Sequence, residues 1–118
     1  MDVSQLSDRA MQIRQRFAEF ERARHGRVWT REMIMQGFVV DVGDLMKLVM
    51  AKAGTRHVDD VDSKLAHELS DCLWCILVLY KLYGLDAGDE FTQAMDKLDR
   101  LLVARTRRAT RRMRTAKR

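Results

Sequence analysis

Four carboxylates stand where apolar side chains are expected. Asp41 and Asp44 interrupt the run Phe38-Val39-Val40-Asp41-Val42-Gly43-Asp44-Leu45-Met46, and Glu68 and Asp71 interrupt Leu65-Ala66-His67-Glu68-Leu69-Ser70-Asp71-Cys72-Leu73-Trp74. Within each pair the spacing is i, i+3, so on a helix both acids project from one face. If the two segments pack antiparallel, the four groups converge. Unpaired charges in a partly dry cleft are costly, and a hard divalent cation is the natural compensator. Oxygen donors favour Mg²⁺, with Mn²⁺ as the other candidate. The competing reading is a pair of solvated acidic faces, which acids at this spacing commonly form. Gly43, between the first two acids, costs a helix about 1 kcal/mol relative to alanine, which points to a packing or ligand reason for it.

The elements that must position these groups follow from periodicity. Leu6, Ala10, Ile13, Phe17 and Phe20 form one apolar stripe on a helix from Val3 to Arg24, broken at His25-Gly26-Arg27-Val28-Trp29. Thr30 is an N-cap for a second helix that continues to Ala53, with Gly54 as terminator. Asp59 or Asp60 caps a third helix over Val61–Tyr83, ended by Gly84. From Asp71 to Tyr80 this helix is apolar nearly all round, so it belongs at the centre and at a subunit interface. Asp86 caps a fourth helix with Phe91, Met95, Leu98, Leu101 and Leu102 on one stripe. The expected fold is all-α, a four-helix bundle that oligomerises.

Asp41-Val42-Gly43-Asp44-Leu45 resembles the Glu-Val-Gly-Glu-Leu core of the MazG-like, all-alpha nucleoside triphosphate pyrophosphohydrolases. Glu68-Leu69-Ser70-Asp71 followed by Leu73-Trp74 is similar to that family's Glu-x-x-Asp motif. Gly84-Leu85-Asp86 with Phe91, Met95 and Lys97 resembles its next turn and helix. The similarity covers Trp29 to Arg100. It implies a Mg²⁺-dependent nucleotide pyrophosphohydrolase of the all-alpha NTP pyrophosphatase type, converting an NTP or dNTP to the monophosphate and pyrophosphate. It implies Asp41, Asp44, Glu68 and Asp71 as metal ligands and catalytic groups, Lys97 as a phosphate contact, and Trp29 and Trp74 as substrate-side aromatics. The plainer reading of Trp29 is an apolar plug at a helix entry, and of Trp74 a core residue. Both first-motif glutamates are aspartates here, Val40 stands where the family often has a further glutamate, and Leu98 stands where it has an asparagine. The shorter acids imply a metal nearer the helix or reached through water, and weaker turnover.

The other features are blander. Cys72 and Cys75 form a C-x-x-C inside an apolar helix, with neither a second ligand pair nor a βαβ setting, so they are packing residues. His25, His57 and His67 are scattered surface or structural groups, His67 facing away from Glu68. The net charge of +5 is uneven: residues 105–118 carry eight basic groups and no acid, and the other 104 residues carry 14 basic and 17 acidic. The chain therefore divides into a helical body, 1–104, and a basic tail or helix extension, 105–118. A basic tail can contact nucleic acid, but it lacks aromatics for base stacking, so this partner is not favoured. No leader-like apolar segment and no run long enough to span a membrane is present. The expectation is a cytoplasmic homodimer or tetramer acting on a nucleoside triphosphate. The alternative is a non-catalytic helical interaction module or an inactive homologue.

Overall fold

The computed structural model describes residues 1–26 and 28–117; Arg27, Arg118 and the His25 side chain lie outside the described residues. Four helices follow in order: α1 Val3–His25, α2 Arg31–Lys52, α3 Val61–Leu82 and α4 Ala87–Ala116. No strand occurs among the described residues, so the all-α expectation is met.

Local chemistry sets the ends. Asp2 and Gln5 form a reciprocal capping box on α1, and Gly26 closes that helix at φ 68°, a conformation glycine adopts without steric cost. Thr30 accepts from the Met33 amide to start α2, and Asp86 accepts from the Asp89 amide to start α4. Asp60 takes the cap position of α3 in the left-handed region, φ 54°, with no side-chain cap bond. Asp59 is instead held by His57, 2.7 Å away.

The core lies where α1, α2 and α3 meet. Ile34 and Val78 are its fully buried side chains, 1% and 0% exposed, joined by Ala10, Cys75, Leu77 and Ala87. α2 and α3 pack antiparallel, as three cross-helix approaches show: Lys52 to Asp62 at 2.6 Å, Cys75 to Asp41 at 3.7 Å, and the Asp44–Glu68 pair between them. α1 crosses α3 through the Trp74 indole N–H, which donates to the Ala10 carbonyl at 3.1 Å, and through the Lys81–Asp8 ion pair.

The fourth helix departs from the expected bundle. Ala87 is buried, but every described residue from 89 to 117 is exposed. Among the described residues α4 lies alongside parts of α1 and α3, and no Cα of α4 comes within 8 Å of one in α2. It runs unbroken across residue 104 into the basic segment. A helix of 30 residues is about 45 Å long, and it stretches the molecule to 74 Å. The radius of gyration is 20.2 Å, against about 13 Å for a compact chain of this length. One chain therefore builds a three-helix body with a projecting arm and does not close a four-helix bundle. No helix among the described residues is long and apolar enough to cross a membrane.

Candidate metal centre

The antiparallel register of α2 and α3 sets Glu68 opposite the Asp41–Asp44 turn. One carboxylate oxygen from each of Asp41, Asp44 and Glu68 lies within 4.8 Å of the others. Asp41 and Glu68 are half-buried. The Glu68 Oε2 atom is buried and has no hydrogen-bond partner. Among the described residues no lysine or arginine forms an ion pair with any of the three.

The electrostatics record the crowding. Desolvation of Glu68 pushes its carboxyl above the usual 4.5, and the charges of Asp71, Asp41 and Asp44 push it further, against a smaller opposing effect of His67. Burial, then the Asp41 charge and hydrogen bond, holds the Cys75 thiol up at about 12. Cys75 is thus a protonated thiol at neutral pH that donates to Asp41 Oδ2 at 3.7 Å. Cys72 is also pushed up, by burial first. Both cysteines are buried and free, in keeping with a packing role.

The donor set suits a hard divalent cation. It is all oxygen, comes from rigid helices, and includes a buried oxygen without a partner of its own. The fit is with three of the four expected ligands. Asp71 projects one turn beyond Glu68, where His67 Nε2 approaches its Oδ2 at 3.1 Å. His67, expected to face away, is thereby tied to the acidic face by an i, i+4 contact. Asp71 is not one of the three mutually close acids, and its charge is the largest of those acting on Glu68.

A groove of about 460 Å³ opens beside the acids, lined by Asp44 and Glu68 at one side and by Lys47, Ser63, Lys64 and His67 around it. Lys47 and Lys64 were not singled out in the sequence, although a signal existed. Lys47 follows Asp44 by three residues and Lys64 precedes Glu68 by four, so each shares its acid's face.

The other sequence candidates lie elsewhere. Trp74 turns toward α1, with its ring edge-on to Phe17 at 5.7 Å. Trp29 lies parallel to Phe17, centroids 6.4 Å apart, and its carbonyl accepts from Arg14 at 3.1 Å. The two tryptophans thus clamp α1 to the body, and neither lines the groove. Lys97 stands exposed on the α4 arm, and it is not among the residues that line the groove.

Gly43 has no packing reason within the chain, since a Cβ there would meet nothing within 4 Å. Gly43→Ala is therefore expected to raise stability by about 1 kcal/mol, the helix-propensity difference. Thermal denaturation reads this as a rise of a few degrees, and a fall would show that something closes on Gly43.

No protein-family model matches the chain, and no curated protein sequence or solved structure matches it either.

Proposed function

We propose that the protein is a divalent-metal-dependent nucleoside triphosphate pyrophosphohydrolase, the activity implied by its resemblance to the MazG-like family. The observation that carries this reading is the convergence of Asp41, Asp44 and Glu68 around a buried, unpartnered carboxylate oxygen. Mg²⁺ held by these three groups would supply neutralisation of phosphate oxygens and acidify a bound water. The groove is within the range of small-molecule sites. Lys47 and Lys64 along its walls supply ammonium donors for the phosphate chain. Glu68, with its raised pKa, is the carboxylate best suited to accept a proton from an attacking water. Hydrolysis between the α and β phosphates gives the nucleoside monophosphate and pyrophosphate. The shorter aspartates on α2 fit a modest rate.

The test is pyrophosphate release from a panel of NTPs and dNTPs with Mg²⁺ or Mn²⁺. Release with at least one nucleotide, lost in Asp44→Ala, is expected. Background rates with every nucleotide under both metals would remove the enzymatic reading.

A second reading has one observation behind it. Residues 105–116 are helical, and the described residues 105–117 are exposed and free of acid. Salt-sensitive binding of nucleic acid that disappears when this segment is removed would favour it.

A further inference from the structure

α4 separates apolar from polar side chains more sharply than α1, α2 or α3. Ala87 roots it in the core, and from Phe91 onward its apolar side is open. Phe91, Met95, Leu98 and Leu102 follow at steps of four, three and four residues, which keeps them on one side of the helix. Phe91, Leu98 and Leu102 are 60%, 46% and 50% exposed. The same beat carries on through Arg105 and, seven residues later, Arg112. Met113 sits beside Arg112 and is 66% exposed. At about 100° per residue, the four acids of the helix lie off this stripe, Asp89 and Asp96 on the far side and Glu90 and Asp99 at its flanks. Residues 105–118 add eight basic groups and no acid.

An occupant of this side must meet two demands. It must take the apolar side chains out of water, and it must supply negative charge to guanidinium groups in line with them. A nucleic acid meets only the second, because its phosphates pair with the arginines and leave Phe91, Leu98 and Leu102 wet. A partner helix meets only the first, because Arg105 and Arg112 fall within the seam, where unpaired charge is costly. An anionic membrane surface meets both. Apolar side chains enter the boundary between headgroups and acyl chains, and arginines on flexible stems reach back to the headgroup phosphates.

We infer that α4 is a membrane-surface arm, lying flat on anionic lipid with Phe91, Leu98 and Leu102 inserted and Arg105 and Arg112 on the headgroups. Asp89 and Asp96 then point to water, away from the negative surface. The arm lies on the bilayer and does not cross it, in keeping with the absence of any sufficiently long apolar helix among the described residues. The inference does not depend on metal binding or catalysis at the acidic cluster.

Co-sedimentation of the full chain with phosphatidylcholine vesicles, with and without phosphatidylglycerol, tests it. The wild-type chain is expected to pellet with the phosphatidylglycerol vesicles and to be released by salt. Each basic group near an anionic surface is worth about fivefold in partition, so Arg105→Gln with Arg112→Gln should weaken binding roughly 25-fold. Leu98→Gln with Leu102→Gln leaves the charge unchanged and should weaken it at least tenfold, through lost burial. Both pairs lie at exposed positions, and helical circular dichroism verifies that the variants fold; Phe91→Gln repeats the apolar test at a separate turn. Vesicle binding that survives the leucine and phenylalanine changes would overturn the inference, since the contact would then be charge alone. A wild-type chain that stays in the supernatant would also overturn it, and equal binding of a duplex oligonucleotide by the wild type and the leucine variant would then assign the arm to nucleic acid.

Discussion

Glu68→Ala is expected to abolish the response of the protein to divalent metal. A ligand that binds only the folded state at a hundred times its Kd adds about 2.7 kcal/mol, which for a chain of this size raises Tm by roughly 10 °C. The wild-type chain should show such a rise with Mg²⁺ or Mn²⁺, and Glu68→Ala should show almost none. Any hydrolytic activity should fall by roughly three orders of magnitude, about 4 kcal/mol of barrier. Without metal the sign reverses. The Glu68 pKa lies above its unfolded value of 4.5, so its favourable contribution is full below pH 4.5 and is lost as pH rises through the higher folded value. Glu68→Gln removes that loss. Metal-free Glu68→Gln should therefore be as stable as wild type at neutral pH or more so, and should lack the gain on mild acidification. A drop in metal-free Tm at pH 7 on Glu68→Gln would show that the carboxylate is held by favourable contacts and not crowded by like charges.

The second large effect is on stability. Ile34 is 1% exposed and lies in one cluster with Ala10 of α1, Cys75 and Val78 of α3 and Ala87 of α4. Ile34→Ala should cost about 3–4 kcal/mol, combining lost burial with the cavity left behind. A domain of this size holds on the order of 5–15 kcal/mol in all, so the variant should be close to unfolding at physiological temperature. Urea denaturation with helical circular dichroism measures the difference. Met113→Ala, at a 66% exposed position, should stay within about 0.5 kcal/mol of wild type. Comparable losses at both positions would mean that the core does not lie at Ile34.

The two effects are separable because they sit on different faces of α2. Ile34 faces α1 and the core, whereas Asp44 looks into the groove. Core loss lowers stability with and without metal by similar amounts, whereas loss of a carboxylate lowers only the metal-bound state.

The resemblance rests on the two acidic motifs and on the turn and helix that begin at Gly84. The structure adds that three of those acids converge and that, among the described residues, no lysine or arginine forms an ion pair with them. The apolar run from Cys72 to Tyr80, apolar nearly all round in the sequence, divides into two sides in the structure. Val78 and Leu77 face inward, while Leu73 and Ile76 are left open.

Helix ends and same-face acid pairs were determined by the sequence alone, because both depend on neighbours within four residues. Asp2, Thr30 and Asp86 cap where their side chains reach the next turn, and Gly26, Gly54 and Gly84 supply the positive φ that ends or follows a helix. The i, i+3 spacing of Asp41 and Asp44 needed no partner to be legible. Tertiary structure decided the rest, because the register between two helices is set by packing across them. It placed Glu68 opposite Asp44, left Asp71 to His67, turned Trp74 toward the Ala10 carbonyl, and sent α4 away from the body with Lys97 on it. An apolar stripe such as Phe91, Met95, Leu98 and Leu102 states that a surface needs cover, but not which surface provides it.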